Sequence, residues 1–378
     1  MSDIRLVHAS DLHLGRRFAA LPEDIRHRLV EARHAALGRL AQAARDHGAG
    51  HILLAGDSFD SGTPSARVLA QALAAIAADP ALTWWMLPGN HDSLAEEELW
   101  SAIARRGPEN LRLLTDSAPQ EIAPGVTLLP APLPRRYPGR DLTRWMTDAA
   151  TAEGTLRIGL AHGAIRSFEE EALRADEVIP PDRAATAGLD YLGLGDWHGQ
   201  MRIDARCWYS GTPERDGFRH GGRGACLAIT LAGRGHPPEV TPVETGSFDW
   251  QDVALPLLPG EDGAAALAGA LPATGQARRD MLLRIAAQGR ATLSARADLD
   301  RAAEAVSHEF GYFALDTGGL ATEVEATDLD LIDRGGALRV AAERLAARAR
   351  DPEATERDRE IASTALNRLF GLLSGEDA

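Results

Sequence analysis

The 378-residue sequence has little cysteine and no long apolar run. Cys207 and Cys226 are too few for a disulfide framework and lack the CxxC spacing of a metal site, so we predict two reduced, packed thiols. No stretch reaches the roughly 18 consecutive apolar residues of a membrane span. The beginning, MSDIRLVHAS, has no basic region followed by an apolar one. We therefore expect a cytoplasmic protein without a membrane partner.

Basic residues are also fewer than acidic residues. The chain has 40 Lys and Arg against 55 Asp and Glu, a formal net charge of −15. Such a chain is poorly suited to holding a polyanion by charge alone. Nucleic-acid binding would have to use bound cations, a local basic patch or a partner protein.

Short β-rich apolar runs alternate with Ala- and Leu-rich helical stretches through about residue 200, which predicts a layered α/β domain. One helical stretch covers residues 22–47, where apolar residues recur at helical spacing and Gly48 follows as a stop signal. The predicted strands cover residues 4–9, 51–55, 83–87, 126–129, 156–161 and 191–194.

The composition changes near residue 250. The Gly- and Ala-rich stretch PGEDGAAALAGALPATGQ indicates a boundary. After it, residues 281–285, 294–310 and 313–316 predict a strand–helix–strand unit, and the end of the chain is helical. We expect three parts, which are a main domain over residues 1–250, a small α+β domain over 251–330, and a helical tail over 331–378.

Polar side chains cluster where five predicted strands end, in SDLHLG, AGDSFD, PGNHD, AHG and GDWHG. In an open α/β sheet, ligands bind beyond the carboxyl ends of the strands. Burying so many carboxylates and imidazoles without a cation would be very costly. Mixed Asp, Asn and His ligands suit divalent Mn, Fe and Zn. The residues are Asp11, His13, Asp57, Asp60, Asn90, His91, Asp92, His162, Asp196 and His198.

In this order, D-x-H, G-D-x-x-D, G-N-H-D, an isolated His and G-x-x-H resemble the calcineurin-like metallophosphoesterases. The finer resemblance, over about residues 4–250, is to the nuclease subunits of SbcCD-type DNA-repair complexes. YSGTPERDGF and LLRIAAQGRATL resemble segments that follow the last metal motif and begin the capping domain in those nucleases. The resemblance implies a four-layer α/β/β/α sandwich with a small α+β capping domain and a helical tail.

The resemblance also implies two divalent ions, with Mn²⁺ favoured, which clamp a phosphate and generate a hydroxide nucleophile. The chain departs from the family at GDWH, because those enzymes usually carry G-H-x-H. Asp196 either replaces the missing histidine as a ligand or turns away and leaves its place to water. The implied ligands are Asp11, His13 and His198 for the first ion, Asp57 as a bridge, and Asn90, His162 and Asp196 for the second.

Other polar residues receive supporting roles. By resemblance, His91 steadies the phosphate or protonates the leaving alkoxide, and Asp60 orients that histidine. Asp92 is interpreted as tying down the turn. Arg16 and Arg17 follow the first motif and either contact phosphates or are simply solvated.

Three functions compete. The first is a Mn-dependent DNA exo- or endonuclease that works in repair as a homodimer with an SMC-like, SbcC-type ATPase. The second is a phosphodiesterase or phosphatase for small molecules, which the acidic charge favours mildly. The third, a scaffold with a relic site, is disfavoured by the full ligand set.

An apolar stripe in the tail either docks on the ATPase or packs on the capping domain. Its residues are Ile361, Ala365, Leu366, Leu369, Phe370 and Leu373.

Overall fold

The structure is a computed structural model that describes residues 3–165, 178–273, 275–323, 332 and 336–374. The chain forms two compact units, Met1–Asp249 and Trp250–Ala378. None of the helices in the described ranges combines the length and the hydropathy that a membrane crossing requires.

The first unit contains two sheets. The first sheet has the strand order β12-β11-β1-β2-β3-β4, in which β1 to β4 run parallel and β11 and β12 are added in antiparallel fashion. Because β1, β2 and β3 are parallel neighbours, their carboxyl ends share one edge of the sheet. The strands are β1 Ile4–Ala9, β2 His51–Ala55, β3 Thr83–Leu87, β4 Leu111–Leu113, β11 Ala225–Leu231 and β12 Glu239–Glu244.

The second sheet has the order β5-β6-β7-β8-β10-β9. Strands β6, β7, β8 and β10 are parallel, while β5 and β9 are antiparallel edges. Cys207 on β10 and Cys226 on β11 are buried free thiols, as predicted. The strands are β5 Gln120–Ala123, β6 Val126–Ala131, β7 Leu156–His162, β8 Tyr191–Gly195, β9 Met201–Arg202 and β10 Cys207–Tyr209.

The helices of the first unit follow local signals in the sequence. Helix α1 ends at Gly48, whose φ of 68° is the left-handed conformation that favours glycine. Helix α2 begins after Ser65, whose hydroxyl accepts a hydrogen bond from the N–H of Val68. The helices are α1 Glu23–His47, α2 Ala66–Ala77, α3 Glu97–Arg106 and α4 Arg183–Thr186, and the 3₁₀ turns are Arg144–Thr147 and Phe218–His220.

Side-chain alternation along the strands builds the layers. Leu54 packs with helices α1 to α3, whereas its neighbour Leu53 packs between the two sheets. On β6, Leu128 faces the first sheet and Leu129 faces α4 and the 3₁₀ turn. Each such buried leucine contributes roughly 1.5–3 kcal/mol. The predicted four-layer α/β/β/α sandwich is therefore confirmed.

The second unit is a small α+β fold. Its sheet has the order β13-β14-β15, and β14 and β15 are parallel. The predicted strand–helix–strand pattern is present, but both strands are longer because they pair from Leu282↔Tyr312 to Thr292↔Glu323. The elements are β13 Asp249–Leu257, α5 Gly263–Ala270, the 3₁₀ turn Gln276–Asp280, β14 Met281–Thr292, α6 Leu293–Ser307, β15 Tyr312–Glu323, α7 Ala337–Arg350 and α8 Glu356–Ser374.

The apolar stripe of the tail lies on α8. Leu366 and Phe370 are buried together with Ala297 of α6 and residues of α7. Ile361 is 58% exposed. This packing favours the alternative in which the stripe covers its own unit. The side chain of Leu373 and the predicted boundary between residues 330 and 331 lie outside the described residues.

Candidate metal centre

Unusual backbone conformations mark the ends of the strands in the first unit. Asp11, His13, Asp57 and Asp196 have φ values of 55°, 43°, 54° and 99°. Residues with a Cβ seldom adopt positive φ, and such conformations concentrate at functional sites. These four residues follow β1, β2 and β8, and the strained turns aim their side chains at one place.

Asp11, His13 and His198 form the first half of this place. The Nε2 atoms of His13 and His198 lie 3.2 Å apart. They lie 4.0 and 3.8 Å, respectively, from Oδ1 of Asp11. Two imidazole nitrogens and a carboxylate that converge in this way offer lone pairs to a common cation. The structure therefore brings together the three residues predicted for the first ion.

Asp57, Asn90, His162 and Asp196 form the second half. His162 Nε2 lies 3.5 Å from Asp57 Oδ2 and 3.7 Å from Asp196 Oδ1, and Asn90 Nδ2 donates to Asp196 Oδ1 over 3.2 Å. Asp57 Oδ2 is also 3.7 Å from His13 Nε2 of the first half. Asp57 thus lies between the halves, and the carboxylate of Asp196 faces the second half rather than turning away.

Two buried polar atoms in the second half show whether a cation would fit between its side chains. In the described part of the chain, Asn90 Oδ1 and His162 Nε2 are buried without a hydrogen-bond partner. The Nδ1–H of His162 donates to the carbonyl of Ala55 over 2.8 Å, which leaves Nε2 to present a lone pair. Buried polar groups are rarely left unsatisfied. A divalent ion between these oxygen and nitrogen atoms would satisfy both.

The charges around His162 also favour a cation. Burial by itself lowers the pKa of His162, but the carboxylates of Asp57, Asp11 and Asp196 outweigh burial and raise it to about 9. Burial lowers the pKa of His13, in spite of nearby carboxylates. The second half therefore has a negative field strong enough to hold a proton on a buried imidazole, and a metal ion can take the place of that proton.

Asp216 supports the first half and has no predicted role. Its Oδ1 lies 3.1 Å from Nδ1 of His198, and its Oδ2 lies 3.3 Å from Arg16 and 3.9 Å from Arg33. Burial opposes ionisation of Asp216, but these partners hold its pKa well below the usual range. Metal-binding histidines commonly donate their second N–H to a carboxylate. A search of YSGTPERDGF for a carboxylate that accepts the second N–H of His198 could have identified Asp216 from the sequence.

The predicted substrate-binding arginines differ in their surroundings. Arg16 has its guanidinium close to the carboxylates of Asp216 and Asp60, at 3.3 and 3.7 Å. Arg17 is exposed on the loop that follows the first motif. Their contacts with phosphate stay predictions.

His91 lies beside both halves. Its Nδ1–H donates to the backbone carbonyl of Asp60 over 2.9 Å, and its backbone N–H donates to Oδ1 of Asp57 over 2.8 Å. The carboxylate of Asp60 faces Nδ1 of His13, at 3.4 Å. Asp60 is therefore next to His91 as expected, but it contacts that ring through its main chain. The orienting role of Asp60 stays a prediction.

Asp92 fixes the turn that carries Asn90 and His91. Its carboxylate accepts hydrogen bonds from the N–H of Gly89 over 2.7 Å and of Phe59 over 3.0 Å, which confirms the interpretation of Asp92 as a turn residue. A Cβ on Gly89 would collide with Oδ1 of Asp57. Glycine is required there because the turn passes directly over the shared carboxylate.

Comparison with known proteins gives a family match. The family model described as calcineurin-like phosphoesterase matches residues 4–200. The matched region contains β1 to β8 and every predicted metal ligand.

Two curated proteins are similar over part of their length. The uncharacterized metallophosphoesterase YhaO of Bacillus subtilis (strain 168) is 29% identical over 223 residues, which are 54% of this chain and 51% of YhaO. The SbcD subunit of the nuclease SbcCD of Escherichia coli (strain K12) is 30% identical over 190 residues, which are 47% of this chain and 44% of SbcD. The chain spans about half the length of these curated relatives.

Among solved structures, the crystal structure of TT1561 of Thermus thermophilus is a distant match. It has 13% sequence identity and a TM-score of 0.39, and the match covers 64% of this chain and 99% of TT1561.

Proposed function

The chain belongs to the calcineurin-like phosphoesterase family, and from this premise we propose that it is a two-metal phosphodiester hydrolase acting as a DNA nuclease subunit. The observation that carries the proposal is the position of Asp57 Oδ2. It lies 3.7 Å from His13 of the first half and 3.5 Å from His162 of the second. One carboxylate shared by two ligand sets is the arrangement that a two-metal phosphoesterase needs.

Each half would hold one divalent ion, with Mn²⁺ as the proposed metal. When bound, the ions polarise the phosphate and lower the pKa of water so that it can attack phosphorus. The first half would use Asp11, His13, His198 and Asp57, and the second would use Asp57, Asn90, His162 and Asp196.

His91 is the proposed proton donor to the leaving alkoxide. Because the carbonyl of Asp60 holds Nδ1, Nε2 is the ring atom left to carry a proton to substrate. The bond from the N–H of His91 to Asp57 Oδ1 ties the position of this ring to the shared carboxylate. The donor and the ligand set are therefore fixed relative to each other, as positional catalysis requires.

The resemblance to the SbcD subunit of nuclease SbcCD supports DNA as the substrate and an SbcC-type ATPase as the partner. A homodimer, a cytoplasmic location and a role in DNA repair are parts of the same proposal. In this proposal, the second unit contains the capping domain, and the helical tail docks on the partner. Because one side of α8 is buried within its own unit, less apolar surface remains for a partner than the sequence alone indicates.

A phosphodiesterase for small molecules is the second candidate function. The net charge of −15 favours this function, because such a chain can attract a polyanion only through bound metals and local basic residues. It would use the same ligands and the same proton donor.

One experiment separates the two functions. The purified chain is incubated with Mn²⁺ and labelled linear, hairpin and single-stranded DNA, and in parallel with bis-p-nitrophenyl phosphate. We expect cleavage of DNA and of the small diester, both abolished in Asp57→Asn. Cleavage of the small diester alone would support the second function, and no cleavage of either would contradict both.

A further inference from the structure

A cleft of about 320 Å³ opens directly from the second half of the metal centre. Its inner end is formed by the ligands Asn90, His162 and Asp196. Apolar side chains, among them Leu133 and Ile179, form its walls. Small-molecule pockets are about 300–1,000 Å³ and mostly apolar, with a few polar groups that fix orientation. This volume admits one nucleotide but not a base pair.

The mouth of the cleft carries a local concentration of positive charge. Residues 134–144, PRRYPGRDLTR, contain four arginines and one acid, Asp141. The carboxylate of Asp141 is engaged within its own surroundings, because Arg183 donates to it over 2.5 Å and the hydroxyl of Thr143 over 2.6 Å. In a chain of net charge −15, this segment supplies a local basic patch of the kind that binding to a polyanion requires.

An exposed aromatic ring stands in the same segment. Tyr137 lines the cleft and is 72% exposed, although burying an aromatic ring normally gains free energy. The guanidinium of Arg136 lies 5.7 Å from the centre of this ring. Aromatic rings next to arginines form the stacking surfaces of proteins that bind single-stranded nucleic acid. Arg136 and Arg140 line the cleft, whereas Arg135 does not.

We propose that this cleft receives the sugar and base of one unpaired nucleotide attached to the scissile phosphate. Tyr137 stacks on the base, and Arg136 and Arg140 contact neighbouring phosphates. The inference rests on the proposed phosphodiesterase function and adds to it the substrate class, which is a single-stranded end or an unpaired nucleotide. The metal ligands at the inner end of the cleft place the scissile phosphate, and the apolar walls exclude water from the nucleoside.

The test compares two diesters with the same leaving group, methyl p-nitrophenyl phosphate and the p-nitrophenyl ester of thymidine monophosphate. In Tyr137→Ala, we expect the ratio of kcat/KM for the thymidine ester to that for the methyl ester to fall about tenfold, which lies within the roughly 1–3 kcal/mol that stacking contributes per base, and Tyr137→Phe, which keeps the ring, retains the wild-type ratio. The double variant Arg136→Ala/Arg140→Ala is the control and keeps the wild-type ratio, because neither ester carries a phosphate beside the scissile one.

Binding provides a readout that does not depend on turnover. The affinity for a labelled oligothymidylate is measured by fluorescence anisotropy with Ca²⁺ over a range of salt concentrations. Each phosphate contact on a single strand contributes about 0.7 to the slope of log K against log salt, so the double variant loses about 1.4 of this slope if both arginines contact phosphates. A slope equal to that of wild type would overturn the assignment of Arg136 and Arg140.

The outcomes distinguish this inference from the proposed function. If wild type cleaves DNA but Tyr137→Ala keeps the wild-type ester ratio, the nucleotide cleft is refuted and the nuclease stands. If both esters are hydrolysed with the expected dependence on the cleft but DNA is not cleaved, the nuclease proposal is refuted and the nucleotide cleft stands.

Discussion

The two halves of the metal centre are built in different ways. In the first half, His198 is held by the buried carboxylate of Asp216, which is in turn close to Arg16 and Arg33. In the second half, His162 is held by the main-chain carbonyl of Ala55. The first half therefore rests on charged side chains, and the second rests on the backbone of the sheet.

The surroundings of the halves differ as well. The second half opens on the cleft through Asn90, His162 and Asp196. Its third proposed ligand, Asp196, belongs to GDWH, where a histidine would resemble the family more closely. Under the proposed function, the first half serves mainly to hold an ion, whereas the second half also meets the substrate. Substitutions that act on both halves, on neither half or on one half test the contrast.

The largest effect is expected from Asp57→Asn, which acts on both halves. Asparagine keeps an oxygen for the N–H of His91, but a single neutral amide oxygen cannot bridge two cations. We expect both ions to be lost and activity to fall to background, a loss of at least about 10⁶-fold if the chain is as effective as the weaker enzymes. Metal content by plasma emission and diester hydrolysis measure this, and circular dichroism controls for folding. Retention of both ions would contradict the bridging role.

His91→Ala removes a side chain that belongs to neither half. We expect both ions to remain bound and turnover to fall about 10²- to 10⁴-fold, the usual contribution of a proton donor. The loss should be smaller on a p-nitrophenyl ester than on DNA, because p-nitrophenolate leaves without protonation. If the variant lost one of two ions, His91 would be a ligand instead.

Asp216→Asn acts on the first half. The amide keeps the shape of the side chain but removes the charge that faces His198. Loss of such a partner typically lowers metal affinity or activity 10- to 100-fold, and we expect a decrease of about this size at one ion only. Titration with Mn²⁺ followed by isothermal calorimetry resolves the two binding steps. An equal weakening of both steps would show that the halves are not separately supported.

Asp196→His acts on the second half and should have the smallest effect. A nitrogen ligand in place of oxygen favours Zn²⁺ over Mn²⁺, and we expect the preference for Zn²⁺ at one ion to rise by less than about tenfold. Competition dialysis with both metals gives this ratio, and Asp196→Asn, which keeps an oxygen, is the matched control. The same ratio in all three proteins would mean that Asp196 is not a ligand.

Much of the fold could be predicted from the sequence because short apolar runs alternate with helical stretches and clear stop signals are present. Helix α1 ends at the predicted Gly48, and β1 covers the predicted residues 4–9. Strands β4 and β5 were missed, because Leu111–Leu113 and Gln120–Ala123 are too short to show periodicity. Strand β4 pairs with β3, from which it is separated by helix α3, whereas β5 forms a short hairpin with β6.

The candidate site, like the fold, could be predicted from the sequence only in part. The strand-end motifs identified the side chains that meet around Asp57, because parallel strands present their carboxyl ends at one edge. The motifs could not identify the carbonyl of Asp60 as the partner of His91, since main-chain contacts leave no trace in residue type. They also could not reveal the cleft at Tyr137, because its lining residues are brought together only by the tertiary fold.

The number of ions that the chain binds when one half is removed tests most directly whether the two halves share Asp57. Equilibrium dialysis against Mn²⁺, followed by plasma emission, is carried out on wild type and on His162→Ala. We expect two ions per chain in wild type and one in the variant, because the first half keeps all of its proposed ligands, which are Asp11, His13, His198 and the shared Asp57. A single ion in wild type, or two ions in His162→Ala, would contradict a centre built from two halves that share Asp57.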